Sequence, residues 1–371
     1  MNILITGSKG FIGKNLTHRL KEQNLHSLEV YNRGDSLGEL EDKIKWSDSI
    51  IHLAGENRPK NDKEFITSNV DLTRTICNFL IKNGLKTKII YSSSTKANEE
   101  SHYGKSKRDA EEILIDLSKK NLNPVKIFRF PGIFGKWCKP NYNSVVATFC
   151  YKISRNEEVS INNNNELTLC YIDNACKQII KTLTDKTNKI FLKVENTHKI
   201  KLNALAKMIK NFSEERQNLM IPRKVGSGLE KYLYSTFLSY IPKKSFTYKI
   251  KQNLDQRGNF VEFLKSEDGG QVSFLTAKPG ITRGEHYHHT KVEKFLILQG
   301  KALFGFKNIA YDDKFEIKVD SKNPEVVETI PGWAHYIKNI GDDELIAIIW
   351  SNEIFSSEEP DTIYFPINEK S

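Results

Sequence analysis

Long apolar runs are missing from this chain. Nowhere in its 371 residues is there the run of roughly 18 apolar residues that a membrane-spanning helix needs, so membrane insertion is not expected. Cysteine is scarce: Cys77, Cys138, Cys150, Cys170 and Cys176 are an odd set without a Cys-x-x-Cys pair, which fits reduced, buried thiols and not a disulfide framework. No basic segment or small-residue cleavage site accompanies the first apolar run, Asn2–Ile5, so the expected compartment is the cytoplasm. No basic arm or stripe stands out either. The net charge of +10 comes from lysines scattered along the whole chain, which reads as solvated lysine faces, and nucleic acid is not an expected partner. Internal repeats are absent, and Asn162–Asn165 is a polar loop.

What is present falls into two textures. In the first, short apolar runs (Asn2–Ile5, Ser27–Tyr31, Ser49–Leu53, Lys88–Ser92, Val125–Phe128) alternate with helical periodicity over Phe11–Glu22, Asp62–Asn83 and Tyr103–Lys120. This alternation predicts an α/β Rossmann-type, doubly wound parallel sheet. Helical stretches follow at Leu202–Phe212 and Leu229–Tyr240. From Phe246 onward, short alternating runs such as Val272–Thr276, Lys294–Leu298 and Leu345–Trp350 sit between Gly, Pro, Asp and Asn turns. That pattern predicts an all-β barrel or double sheet. The boundary is placed near Pro242–Lys244, giving domains 1–244 and 245–371.

The segment Thr6-Gly7-Ser8-Lys9-Gly10-Phe11-Ile12-Gly13 closes a predicted strand and opens a predicted helix. Gly7 permits the tight turn, Gly10 lets backbone N–H groups approach a pyrophosphate, and Gly13 lets helix and strand pack closely. The second strand ends in Tyr31-Asn32-Arg33-Gly34, with no carboxylate for ribose hydroxyls before Asp35. Arg33 can instead fork onto a 2′-phosphate, so NADPH is expected over NADH; the positive net charge suits such a cofactor and a diphosphate-linked substrate. Tyr103 and Lys107, four residues apart on a predicted helix, share one face, and the ammonium is expected to lower the phenol pKa. The Gly-x-x-Gly-x-x-Gly spacing, the Tyr-x-x-x-Lys pair, Ser92-Ser93-Ser94, His52-Leu53-Ala54-Gly55 and Asn69 together resemble the extended short-chain dehydrogenase/reductases. The resemblance implies that Ser94 hydrogen-bonds the substrate oxygen and that Leu53 and Ala54 line the cofactor. Where the related 4,6-dehydratases have Thr-Asp-Glu, this chain has Ser94-Thr95-Lys96, without the acid and base of elimination. The missing acid near Asn32 also disfavours a 4-epimerase with permanently bound NAD.

In the second texture, Gly280, His286, His288, Glu293 and Gly300 match the spacing of the first cupin motif, and Pro331-Gly332-Trp333-Ala334-His335 with Asn339 that of the second. Alternation along a strand places His286 and His288 on one face. Three imidazoles (His286, His288, His335) and Glu293 suit Zn2+ or another divalent transition metal. Asp255-Gln256-Arg257-Gly258, Gln271 and Arg283-Gly284-Glu285-His286 also resemble the deoxysugar 3,5-epimerases. That resemblance implies that Arg257 and Arg283 contact a nucleotide-sugar and that His286 takes a proton beside a carbonyl. A metal-bound imidazole is a poor base, so His289 and Lys291 stand as alternatives.

Across nearly its whole length, and most specifically over Phe134-Gly135-Lys136-Trp137-Cys138-Lys139-Pro140-Asn141-Tyr142-Asn143-Ser144-Val145, the chain resembles the bifunctional capsular-polysaccharide enzymes of the CapF type. The resemblance implies a UDP-linked deoxy amino sugar as substrate, with Asn141 and Asn143 near it, and a homodimer. In the implied chemistry the cupin inverts C3 of a UDP-2-acetamido-2,6-dideoxy-4-keto-hexose. The reductase then reduces C4 with NADPH, giving UDP-2-acetamido-2,6-dideoxy-L-talose on the way to N-acetyl-L-fucosamine. A rival reading keeps the reductase and makes the cupin a non-catalytic module for dimerisation or sensing.

Overall fold

In a computed structural model that describes residues 1–59, 61–161 and 164–367, the chain divides into two units. One comprises Met1–Lys210 with Ser227–Pro242; the other comprises Asn211–Gly226 with the chain from Lys243 onward. Asn162 and Asn163 of the expected polar loop lie outside the described residues.

The first unit runs β1 (Asn2–Thr6), α1 (Phe11–Gln23), β2 (Ser27–Tyr31), α2 (Leu37–Trp46), β3 (Ser49–His52), α3 (Lys63–Phe65), a π turn (Ile66–Asp71), α4 (Leu72–Lys82), β4 (Lys88–Ser94), α5 (His102–Asn121) and β5 (Val125–Phe130). It continues with β6 (Gly132–Phe134), α6 (Val145–Ile153), β7 (Glu166–Tyr171), α7 (Ile172–Thr182), β8 (Phe191–Leu192) and β9 (Thr197–Lys201). Helix α8 (Leu202–Gln217) leads into the second unit's first segment, and α9 (Gly228–Leu238) belongs to the first unit again. The main sheet has the order β2-β1-β3-β4-β5-β8, and every pair in it is parallel. The period of two in each strand explains its two cores. Leu4, Ile50, Ile89 and Ile127 face α2, α4 and α5 through Leu40, Ile76, Leu80 and Leu114. Their neighbours Ile3, Ile51, Ile90 and Phe128 face α1 and α7 through Leu16, Leu20, Ala175 and Ile179. The sheet is the expected doubly wound Rossmann type, with its order reversing between β1 and β3 at the carboxyl ends where such folds bind ligands.

One expectation is corrected. The helical stretch at Asp62–Asn83 is not uniform: the π turn at Ile66–Asp71 interrupts it. Such turns concentrate at functional sites, and this one carries Asn69.

Beyond the end of α8, the second unit is built from strands: β10 (Asn253–Asp255), β11 (Gly258–Ser266), β12 (Gly270–Ala277), β13 (Thr282–Tyr287), β14 (Glu293–Gln299) and β15 (Lys301–Asn308), then β16 (Lys314–Asp320), β17 (Val326–Thr329), β18 (Trp333–Asn339), β19 (Leu345–Ser351) and β20 (Ile363–Tyr364). These form two antiparallel sheets, β10-β11-β12-β19-β14-β17 and β16-β15-β18-β13-β20. Alternate residues Phe295 and Ile297, Phe304 and Phe306, and Ala347 and Ile349 turn inward to a common core, as in a cupin double sheet. The segment from α8 joins this unit by backbone pairing: Lys265 N–H donates to the Leu219 carbonyl at 2.8 Å, and Ile221 N–H to the Lys265 carbonyl at 2.7 Å.

Candidate active sites

In the first unit the loop between β1 and α1 is shaped by glycine. Gly7 has φ +74°, and a Cβ there would come within 2.8 Å of Ala54. At Gly13 a Cβ would meet the Gly7 carbonyl at 2.2 Å, so helix and strand approach this closely only without a side chain. No side chain caps the first turn of α1, whose N-cap is Gly10; the first turn, with Phe11 and Ile12, is left open to an anion. Asn32 holds the loop from β2, its Oδ1 accepting the Lys9 N–H at 3.1 Å. The Asp35 carboxylate is turned back onto the Asn32 N–H at 2.9 Å. Leu53 and Ala54, just beyond β3, are tied to Thr6 through its carbonyl at 3.2 Å and its hydroxyl at 3.2 Å. Arg33 is 75 % exposed and pairs with Glu56 at 3.2 Å. It lines a surface groove with Arg58, Glu64, Thr67 and Ser68. The glycine-walled cradle fits a dinucleotide.

At the carboxyl end of β4, Ser94 meets Tyr103 of α5. Ser101 caps that helix, its Oγ accepting the Gly104 N–H at 3.0 Å, and the first two turns present Tyr103 and Lys107. The Tyr103 hydroxyl hydrogen-bonds Ser94. Lys107 is held against β4. Its Nζ donates to the Ser92 carbonyl at 3.1 Å and to the Tyr91 hydroxyl at 3.3 Å, and lies 4.8 Å from the centre of the Tyr91 ring. Burial is the largest influence on Tyr103 and raises its pKa, against the Ser94 hydrogen bond, so the phenol keeps its proton at neutral pH. Burial pushes Lys107 down to about 8, opposed by Glu111. Glu111 is itself buried and forked by Arg129 at 2.9 Å and 2.5 Å.

Asn141, with φ +53°, and Asn143 are exposed between β6 and α6. Tyr142 between them turns inward, donating to Glu56 at 2.6 Å. Glu56 carried no sequence signal, and Tyr142 was legible only as part of the Phe134–Val145 stretch.

In the second unit a cavity of about 680 Å³ contains His286, Glu293, His335, Arg257, Arg283 and Lys291 on its walls. A bulge re-aims the first ligand: the β13–β18 register shifts between Gly284 and His286, with Glu285 at φ +60°. Among the described residues, the nitrogen and oxygen atoms of His286, His288, Glu293 and His335 lie within 4.8 Å of one another. The hydrogen bonds decide whether a cation fits. His288 Nδ1 donates to the Asp361 carbonyl and His335 Nδ1 to the Trp333 carbonyl at 3.3 Å. In the neutral rings, Nε2 then presents a lone pair to the Glu293 carboxylate, each 3.4 Å from Oε2. A lone pair facing a carboxylate is repulsive unless a proton or a cation lies between them, and a divalent metal fits this donor set. Burial, with His335 next, lowers His286 to about 3, the neutral state a ligand needs.

Asp361 organises the segment behind these ligands, its carboxylate accepting the backbone N–H groups of His289, Thr290 and Lys291 at 2.8, 2.7 and 2.8 Å. Its sequence signal, a Pro-Asp turn 70 residues after Lys291, was too weak to read. His289 is exposed, whereas Lys291 is buried in the cavity wall and donates to Thr362 Oγ1 at 2.8 Å. Arg257 is forked onto Asp255 at 3.0 and 2.6 Å. Arg283 donates to the Asn259 and Thr276 carbonyls at 3.1 and 2.8 Å.

Residues 3–192 match the NAD dependent epimerase/dehydratase family, and residues 253–363 match the Polysaccharide biosynthesis C-terminal domain. The chain is 44% identical over 371 residues to the UDP-2-acetamido-2,6-beta-L-arabino-hexul-4-ose reductase of Pseudomonas aeruginosa, with 100% of both proteins covered. The crystal structure of the capsular polysaccharide assembling protein CapF from Staphylococcus aureus superposes with a TM-score of 0.92 at 42% identity, covering 99% of this chain and 100% of that one. The chain belongs to the CapF family. A second CapF structure, with the inhibitor 3-isopropenyl-tropolone, gives a TM-score of 0.87 at 39% identity, covering 99% of this chain and 100% of that one. Membership of the CapF family makes this chain an oxidoreductase of the nucleotide-sugar reductase and epimerase group. Among the described residues no helix is long and apolar enough to cross a membrane.

Proposed function

We propose that this chain is bifunctional: the second unit inverts C3 of a UDP-2-acetamido-2,6-dideoxy-4-keto-hexose, and the first reduces C4 with NADPH to give UDP-2-acetamido-2,6-dideoxy-L-talose. The observation that carries the reading is the pairing, in one chain, of the Ser94–Tyr103–Lys107 site with a cation-fitting, arginine-lined cavity. The P. aeruginosa relative, named as a reductase of such a 4-ulose, supports the substrate class.

The order follows from the chemistry. A 4-keto group acidifies the C3 proton, so inversion precedes reduction, and reduction then removes the activating carbonyl. In the cavity, Arg257 and Arg283 bind the diphosphate. Lys291, buried in the cavity wall where His289 is exposed, is the better placed of the two candidate bases to take the C3 proton, which solvent returns on the opposite face. His286, His288, Glu293 and His335 would hold a zinc ion or a similar divalent metal, and the closed four-ligand set suits a structural ion. In the first unit the Gly7–Gly13 loop with Lys9 and Arg33 would hold NADPH, which when bound supplies the hydride for C4. Ser94 orients the ketone oxygen. Tyr103, which holds its proton in the buried site, gives that proton to the ketone oxygen. Lys107 holds positive charge under the site. A homodimer in the cytoplasm completes the reading.

NMR of the keto-sugar with the enzyme in D2O tests it. Deuterium enters C3 without NADPH, and the talo product forms when NADPH is added. Reduction without any C3 exchange would leave a reductase whose cupin is non-catalytic.

A further inference from the structure

The buried polar groups between β1, β3 and α4 form one chain of hydrogen bonds whose directions can be worked out. The Thr73 hydroxyl donates to the Asn69 carbonyl at 2.7 Å, so toward His52 Nε2, 2.9 Å away, it accepts. His52 therefore carries its proton on Nε2, and Nδ1 accepts from the Thr6 hydroxyl at 2.7 Å. Thr6 Oγ1 in turn accepts the Ala54 N–H at 3.2 Å. Thr6, His52, Asn69 and Thr73 are all at most 1 % exposed. Burial, with Lys107 next, holds the imidazole pKa down to about 3, so the ring stays neutral through the working pH range.

The far end of this chain lies on the π turn. Threonine commonly bonds the carbonyl four residues back, and here that bond fastens the carbonyl of Asn69, inside Ile66–Asp71. The Asn69 side chain is then fully engaged. Its Oδ1 accepts the Glu56 N–H at 2.8 Å, and its Nδ2 donates to the Glu56 carbonyl at 3.0 Å and to Ser106 Oγ at 2.9 Å. Ser106 sits on α5 and donates to the Tyr103 carbonyl at 2.8 Å. The tolerance is small, since a Cβ on Gly55 would lie 2.6 Å from Asn69 Oδ1 and 3.3 Å from Lys107 Nζ.

We propose that His52 and Thr73 are positioning residues for reduction: the imidazole, through the Thr73 hydroxyl, fixes the π turn whose Asn69 side chain ties the Leu53–Glu56 loop to the helix bearing Tyr103 and Lys107. The inference rests on the reading that this helix reduces a keto-sugar. Neither His52 nor Thr73 touches substrate in this scheme; they set the distance between the cofactor loop and the proton donor.

Thr73→Val keeps size and branching and removes the hydroxyl. In the full-length enzyme kcat for NADPH-dependent reduction should fall about ten- to a hundredfold, the cost of a misplacement near 1 Å. KM for sugar and for NADPH should change less than about threefold, and the primary isotope effect with NADPH deuterated at C4 should rise because hydride transfer becomes slower. Thr73→Ser should restore most of the rate. His52→Gln, whose amide offers both a donor and an acceptor, should retain more activity than His52→Leu; this pair decides if Thr73→Val does not fold by circular dichroism. A loss of rate that only tracks a smaller folded fraction, with the isotope effect unchanged, overturns the inference. Wild-type protein that oxidises no NADPH with the keto-sugar overturns the reductase reading and this inference with it. A wild type that does so, beside a Thr73→Val enzyme with full kcat, overturns the inference alone.

Discussion

Lys107 is a charge held where the fold disfavours charge, and its replacement should separate stability from activity. The ammonium is buried on α5 against Tyr91 and the Ser92 carbonyl, and burial lowers its pKa from 10.5 to about 8. At about 1.4 kcal/mol per pH unit, carrying that charge costs the folded state roughly 3 kcal/mol near neutrality. Lys107→Met fills the same volume without the charge. Losing the hydrogen bonds to Ser92 and Tyr91 offsets about 1 kcal/mol, so the variant should be about 2 kcal/mol more stable than wild type at pH 7 and inactive in reduction. Below pH 8 both folded and unfolded wild-type chains bind the proton, and the full burden is present. Between pH 8 and 10.5 only the unfolded chain binds it, so wild-type stability rises and the advantage of the variant fades. Urea unfolding followed at 222 nm, where the helices of the first unit dominate, measures this at a series of pH values. A variant less stable than wild type at pH 7, or an advantage that persists to pH 10.5, would refute the reasoning.

Tyr103→Phe removes the proton donor and should cut NADPH oxidation by several orders of magnitude while C3 exchange in D2O continues; parallel loss of both in a folded variant would contradict separate sites. Arg33→Ala should weaken NADPH about ten- to a hundredfold, as expected for losing a charge-assisted contact, and leave NADH nearly unchanged, as read by fluorescence titration. His288→Ala with Glu293→Ala should abolish divalent-metal content measured by mass spectrometry. In wild type, chelation should lower the thermal midpoint yet leave C3 exchange above a hundredth of the metal-loaded rate while circular dichroism is native. A fragment starting near Asn211 should unfold at higher urea than one starting at Lys244, because the shorter piece lacks the pairing of Leu219 and Ile221 with Lys265; equal midpoints would show that the pairing adds nothing.

The sequence disclosed those parts of the fold and sites that depend on local spacing. Gly7 and Gly13 announce their turn because only glycine fits the approaches seen there. The cupin-spaced histidines meet because strand register fixes where alternate side chains go. The bulge at Glu285 stayed hidden, since one extra residue in a strand leaves no mark on composition. Helix α2 was not foreseen, although Ser36 and Glu39 form a reciprocal cap, because its buried face consists of only Leu40 and Ile44. The π turn was concealed within an unbroken amphipathic pattern. Asp361 and the His52–Thr73–Asn69 chain were beyond reach for another reason: their partners lie up to 73 residues away and include backbone groups, which carry no side-chain identity. Lys107 was placed correctly on its helix face, but its contacts with Tyr91 and Ser92 depend on how deeply α5 sinks against β4.

The division of the chain also bears on how it is made. Asn211–Gly226 belongs to the second unit yet precedes Ser227–Pro242 of the first. On the ribosome, the first unit must therefore wait for α9 while already holding a strip of its successor, whose docking strand, β11, has not yet been synthesised. Leu219 and Ile221 remain without their Lys265 partner until at least 40 or so further residues emerge, a few seconds at ordinary elongation rates. Neither unit is a bead that folds to completion before the other begins. A recombination event cutting once, after Lys210 or after Pro242, would leave one of the two units incomplete, so exchange of either half between relatives has to respect three crossings of the chain.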